Sequence, residues 1–275
     1  MLCDKGSNRG VGFDPSFVPD ENPVDSDRPI TIVPEYFTPE SATGPVDFLC
    51  CRHVLEHIER PLEFLTGLAR TIKSTGRAPV YFEVPNGLYM LESLAIWDII
   101  YEHCGYYTPA ALTGIFTRAG FEPIEVRQVF GKQFLAIEAT PAEGTAKLEA
   151  DASQAQISAL VDQFSQQHRL YLQTWQEKLK KFSKQSARPV IWGTGSKGVT
   201  FLNALGIGTD QIALAVDANP NKAGQFVPRT GQQIVEPSHL RDYKPDAVIV
   251  MNGIYRQEIA QQLAEMGIEA EVFTA

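Results

Sequence analysis

The sequence predicts an α/β protein made of two parallel-sheet units on either side of one long helix. Three observations carry this. Short apolar runs ending in polar residues precede segments of helical periodicity. One such run leads into a glycine-rich turn, Gly193 to Gly198. A single unbroken stripe of apolar residues separates the two sets of runs. At 275 residues the chain can hold two domains, and 44% hydrophobic with 21% charged residues is a globular composition. The expected division is 1–140, a linker and long helix over 141–188, and 189–275.

In the first unit, Val11 to Asp14 reads as a strand tip, Phe48 to Cys51 as the next clear strand, and Val80 to Val84 as another. Pro61 opens a helix reaching Lys73, at the position proline favours. Thr108 caps a second helix through Ala119, with Pro109 in its first turn and Gly120 as its stop. Leu112, Ile115, Phe116 and Ala119 share one face of it. Glu122 to Val129 and Gln133 to Ala139 alternate around Gly131-Lys132, a hairpin signature.

Residues 141–153 are rich in Ala, Glu and Thr and read as a linker. Ile157, Val161, Phe164, His168, Tyr171, Leu172, Trp175, Leu179 and Phe182 then recur at three- and four-residue spacing. They predict one helix of about 28 residues, roughly 40 Å long, packed between the units. After it, Val190 to Trp192 is a strand, followed by the glycine turn and a helix through Leu205. Ile212 to Val216, Ala247 to Met251 and Ala270 to Phe273 are further strands, with a helix from Tyr255 to Met266 stopped by Gly267. The pattern is that of a small Rossmann-like βαβ domain of about five strands.

A net charge of −9 argues against nucleic acid as a partner. The cluster Lys178, Lys180, Lys181, Lys184 and Arg188 reads as a solvated helix end. No apolar run approaches the roughly 18 residues of a membrane span, and no signal-peptide core is visible. Cys3, Cys50, Cys51 and Cys104 show no pairing rhythm, and Cys50 and Cys51 read as buried strand thiols, so a cytoplasmic protein is expected.

Gly193-x-Gly195-x-x-Gly198 between strand and helix matches the dinucleotide fingerprint, with Asp217 about 20 residues on, where a ribose ligand belongs. Three readings remain open: NAD, the phosphates of another nucleotide, or a tight turn and nothing more. Lys197 would add a point charge for phosphates, although this is not a P-loop. His53-x-x-Glu56-His57 fits the inverted zincin pattern. That motif needs a continuous helix, whereas here a strand end precedes it and Pro61 follows. No metal site is expected.

Residues 46–61, Val-Asp-Phe-Leu-Cys-Cys-Arg-His-Val-Leu-Glu-His-Ile-Glu-Arg-Pro, resemble the middle of the catalytic domain of class I S-adenosylmethionine-dependent methyltransferases. Ile191 to Gly198, Phe201-Leu-Asn203, Val216-Asp217-Ala-Asn-Pro220, Lys222 and Pro245-Asp246 resemble the C-terminal domain of nucleotide-sugar C-methyltransferases. The resemblance implies a partial class I methyltransferase sheet and a second Rossmann-like domain, joined by the long helix. It implies S-adenosylmethionine as cofactor, with Asp14 on the ribose, Tyr36 and Phe37 flanking the adenine, and Arg52 and His53 at the next strand end. Ile100-Tyr101-Glu102-His103 is similar to the family's Tyr-His-Glu-His segment, with Ile100 where a Tyr is usual. This implies His103 and Glu102 as an acid–base pair and Tyr101 or Tyr106 for the enolate. Asn86, after Val84-Pro85, would face substrate, and Gly193, Gly195, Lys197 and Gly198 would hold a small-molecule sugar nucleotide.

Family members begin with a strand and a glycine-rich turn. Here Met1 to Asn8 resembles the end of the first helix and Gly10 to Asp14 the second strand, so an N-terminal truncation and an incomplete cofactor site are expected. The alternatives are a non-catalytic nucleotide-sugar binding remnant and an NAD-dependent oxidoreductase.

Overall fold

The computed structural model describes residues 8–18, 30–41, 44–144 and 154–275. Strands β1 (Gly10–Phe13) and β2 (Ile30–Val33) pair in parallel as a sheet of their own. Strands β3 (Leu49–Arg52), β4 (Val80–Pro85), β5 (Phe121–Val129) and β6 (Phe134–Pro141) form a second sheet in the order β3-β4-β6-β5. Its β3–β4 pair is parallel, and β4–β6 and β5–β6 are antiparallel. The run Val-Tyr-Phe-Glu-Val-Pro of β4 is nearly continuous in burial because the strand lies inside the sheet.

Helix α1 (Pro61–Thr75) lays Leu65, Leu68 and Ile72 on this sheet, all fully buried, each contributing about 1.5–3 kcal/mol by leaving water. The short helix α2 (Gly87–Glu92) follows β4. The Thr108 hydroxyl caps α3 (Pro109–Arg118) by accepting the Ala111 N–H at 3.2 Å, and Leu112 and Phe116 face inward as their spacing predicts.

Helix α4 (Gln154–Lys184) has 31 residues, roughly 46 Å at 1.5 Å per residue. Its apolar stripe is buried only toward the C-terminal end, at Trp175, Leu179 and Phe182, whereas Val161 lies half-exposed. Among the described residues no helix is long and apolar enough to cross a membrane.

Beyond α4, β7 (Pro189–Trp192), α5 (Ser196–Leu205), β8 (Leu214–Val216) and β9 (Gln233–Val235) lead to α6 (Leu240–Tyr243). Then come β10 (Ala247–Val250), α7 (Arg256–Glu265) and β11 (Glu271–Thr274). The five strands are parallel in the order β11-β10-β7-β8-β9. Chain direction across the sheet therefore reverses between β7 and β10, where doubly wound sheets open a crevice for ligands. Alternation along the strands splits the core: Ile191, Ala215 and Ile249 pack with Phe201 and Trp175, and Val190, Val248 and Val250 with Ile259 and Leu263.

Several boundaries differ from the sequence reading. β2 and β9 are short runs of three or four residues, below the length at which alternation is legible. β6 starts at Phe134, because Gln133 still belongs to the turn, its N–H donating to the Phe130 carbonyl at 3.2 Å, and it runs on to Pro141, within the expected linker. β8 starts at Leu214, and β11 spans Glu271–Thr274. Cys50 is exposed, since β3 is the edge of its sheet, whereas burial pushes the Cys51 thiol up to about 12. The helix end expected over Met1 to Asn8, Cys3 and the linker residues 145–153 lie outside the described residues, Asn8 excepted.

The glycine turn closes tightly after β7. Gly193 has φ +114°, and a Cβ on Gly198 would collide with the Gly193 carbonyl oxygen. Asp217, just beyond β8, holds the turn from the side. Its carboxylate accepts the Thr194 N–H at 3.0 Å and the Thr194 hydroxyl, and pairs with Lys222 Nζ at 3.0 Å. Burial alone would raise this carboxyl, but the hydrogen bonds from Thr194, Asn219 and Lys222 win and bring it down to about 2.

Two outcomes follow from this turn. Gly198→Ala should lower the unfolding free energy in urea by about 1–3 kcal/mol, the usual cost of overpacking. Gly195→Ala, with open space around the added Cβ, should leave it nearly unchanged. The Asp217 carboxyl is more acidic folded than unfolded, so its stabilisation is complete above 3.8 and fades as pH falls toward 2. Urea midpoints across that interval should therefore fall more steeply for the unaltered chain than for Asp217→Asn.

Candidate active site

Between the second sheet and the C-terminal sheet lies a cleft of about 630 Å³. His53, Glu56, His57 and His103 line it from one side. Gly193, Gly195, Lys197 and Gly198 line it from the other. Two polar bridges fix the walls. Lys197 Nζ pairs with Asp98 Oδ1 at 2.9 Å. The amides of Gln133 and Asn252 exchange hydrogen bonds, at 3.0 Å from Gln133 and 3.3 Å from Asn252.

Arg52 and His53 leave β3 at its carboxyl end. His53 has φ +55°, a left-handed conformation costly for a non-glycine residue and common where a site needs it. Glu83 of β4 organises both side chains: Arg52 Nη2 lies 2.8 Å from its Oε1, and His53 Nε2 3.1 Å. Burial works to raise the Glu83 carboxyl, yet the hydrogen bonds from Arg52 and Tyr81 hold it below the usual range. Sequence reasoning missed Glu83. A lone acidic residue inside an apolar strand was the available signal.

Leu55–His57 is a single 3-10 turn and not a continuous helix, so His53 and His57 do not share the helical face that an inverted zincin requires. The turn is tied to the His103 segment by the backbone: Cys104 and Gly105 donate N–H groups to the Glu56 carbonyl at 2.7 and 3.0 Å. His57 Nδ1 lies 3.0 Å from the Glu102 carbonyl oxygen. The His103 ring sits 4.9 Å from that of His57 and 6.0 Å from that of Tyr106. Burial lowers the His103 pKa, against the opposing charge of Glu56, and so favours the neutral imidazole with a free lone pair.

The structure gathers some expected site residues and leaves others apart. His103, His53, Gly193, Gly195, Lys197 and Gly198 all face one cleft. Tyr101 is fully exposed and Glu102 is exposed, and neither lines it. The carboxylate gathered with His103 is instead Glu56, which is 1% exposed. A sequence cannot show this exchange, because Glu56 arrives from a distant turn. Tyr106 packs on His103 without lining the cleft. Asn86 is buried in its turn: its Oδ1 accepts the Leu88 N–H at 3.1 Å and its Nδ2 donates to the Lys132 carbonyl at 2.8 Å.

Asp14, Tyr36 and Phe37 follow the ends of β1 and β2 and do not line the cleft. Asp14 Oδ1 accepts both the N–H and the hydroxyl of Ser16, at 2.9 and 2.6 Å, while Tyr36 stands 80% exposed beyond the neighbouring strand. A carboxylate and an open aromatic face past the carboxyl ends of adjacent parallel strands suit an adenosine group. Phe37 does not fit that role, because its ring packs on Phe13 and Phe64 at 5.3 and 6.3 Å.

The sequence model described as a methyltransferase domain matches residues 2–126, and that described as a C-methyltransferase C-terminal domain matches residues 137–273. Among curated proteins, the C-methyltransferase NovU of Streptomyces niveus is 24% identical over 273 residues. The match takes in 91% of this chain and 63% of NovU, so the chain spans under two thirds of that relative's length. Among solved structures, the methyltransferase in complex with the Haloferax volcanii Trm112 activator aligns with TM-score 0.40 and 14% identity, over 52% of this chain and 76% of its own. Magnesium protoporphyrin IX methyltransferase of Synechocystis aligns with TM-score 0.30 and 17% identity, over 41% and 52%. Both likenesses are distant. The tandem match of the two models, in order and over nearly the whole sequence, is the decisive finding: the chain carries a methyltransferase domain followed by a C-methyltransferase C-terminal domain.

Proposed function

We propose that the chain methylates a carbon next to a keto group in a nucleotide-linked sugar. The observation that carries this reading is the shared cleft, which sets a half-buried imidazole opposite a glycine turn at a helix start. The N-terminus of α5 presents unpaired N–H groups to an anion, and the space over Gly195 lets a diphosphate approach the backbone. Lys197 then exchanges Asp98 for phosphate. Asp217 is already engaged by Thr194, Asn219 and Lys222, which favours this ligand over NAD, whose ribose would need that carboxylate free.

S-adenosylmethionine, when bound, supplies an electrophilic methyl group; Asp14 and Tyr36 would hold its adenosine part. His103 takes the proton from the α-carbon. The neutral imidazole, which burial favours, is the form that can do so. The pair of electrons left behind is delocalised onto the keto oxygen. The carbon so activated would meet the methyl group that S-adenosylmethionine supplies, exchanging its bond to sulfur for one to carbon, while His103 holds the proton until it passes to water.

Proton removal can be read without the methyl donor, as deuterium uptake at the α-carbon of a nucleotide-linked keto sugar in heavy water. His103→Ala should slow uptake by about 10²–10⁴ while leaving substrate affinity nearly unchanged. Uptake that continues at full rate in this variant would remove His103 from the mechanism.

A further inference from the structure

Glu56, His57 and His103 come together where the 3-10 turn meets the loop before α3, with one ligand atom from each within 4.8 Å of the other two. We infer that these three side chains form a site for a divalent transition-metal ion of the zinc class, open toward the cleft. Two histidines and one carboxylate are the donor set of open zinc centres, in which a fourth position is left for water or a ligand. Donors bound at about 2.0–2.2 Å stand roughly 3.3–3.6 Å apart, so small rotations would close the set around an ion.

Independent observations point the same way. Glu56 is 1% exposed, and its Oε2 has no hydrogen-bond partner. A buried carboxylate oxygen left bare is costly, and an ion supplies what it lacks. The buried Nδ1 of His103 is likewise without a partner. No hydrogen bond joins the three side chains to one another, and the ion pair that Glu56 does make, from Oε1 to His53 Nδ1 at 3.7 Å, leaves its Oε2 bare. The Nδ1 of His57, 3.0 Å from the Glu102 carbonyl oxygen, has the outer contact that orients a metal-bound imidazole and leaves the Nε2 lone pair to bind.

This site differs from the inverted zincin pattern. It drops His53, whose Nε2 is committed to Glu83, and recruits His103 from a separate loop. Its occupancy also bears on the proposed reaction, and this part rests on that reading: an ion holding His103 ties up the imidazole needed for proton abstraction. Metal and base roles therefore exclude each other, and the ion inhibits.

The test is titration of the full chain, stripped with chelator, with Zn²⁺ by calorimetry and with Co²⁺ by visible spectroscopy, without substrate. One equivalent should bind, and Co²⁺ should show the intense bands of low coordination. Glu56→Gln and His103→Ala, each checked for folding by circular dichroism, should weaken binding by more than the roughly 10–100-fold lost with an outer-shell partner. His239→Ala, at an exposed histidine outside the cleft, should leave it unchanged. Absence of a one-equivalent site, or binding that survives both substitutions and is lost on Cys104→Ser, would overturn the site. In the deuterium-uptake assay one equivalent of Zn²⁺ should suppress exchange; stimulation would overturn the inhibitory role while leaving His103 as base to be judged by its own variant.

Discussion

The aromatic contact between Trp97 and Phe201 is the interaction on which the cleft depends. Trp97 is 3% exposed, and its ring lies 5.0 Å edge-on from that of Phe201, which in turn meets Trp175 of the long helix at 5.1 Å. Such pairs add about 0.5–1.5 kcal/mol each beyond the area they bury. Their larger effect is positional. Asp98, next in sequence to Trp97, is carried to Lys197, and the loop that follows delivers His103 to the Glu56 turn. One hydrophobic cluster thus ties the segment after α2, the helix α4 and the C-terminal sheet into a single wall-to-wall arrangement.

Charge is arranged on the same plan. Three cations near the site already have a carboxylate: Arg52 with Glu83, Lys197 with Asp98, and Lys222 with Asp217. An anionic ligand must therefore take Lys197 from Asp98 and does not find it free. That lowers affinity for phosphate alone and favours a ligand large enough to gain contacts elsewhere in the cleft. The Asp217–Lys222 pair is different in kind, because hydrogen bonds from the glycine turn make it part of the backbone's support.

Much of this was legible in the sequence where periodicity and local chemistry decide structure. The α4 stripe, the Thr108 cap, the hairpin around Gly131-Lys132 and the glycine turn all depend on neighbours within a few residues. β2 and β9 were not legible, since three or four residues carry too little alternation. At the site, residue types were readable but their pairings were not. Glu102 adjoins His103 in sequence, yet its side chain is exposed, while Glu56 comes to His103 through a turn far away in the chain. Asn86 likewise reads as a site residue, and its hydrogen bonds show it holding its own turn.

The central claim is that both walls of the cleft act on one ligand. Amide hydrogen exchange, with and without a nucleoside diphosphate-sugar, tests it most directly. The account predicts added protection at Gly195 to Val199 together with Glu56 to His57 and His103 to Gly105, and a weaker response to NAD. Protection confined to one wall, or stronger with NAD than with the sugar nucleotide, would contradict it.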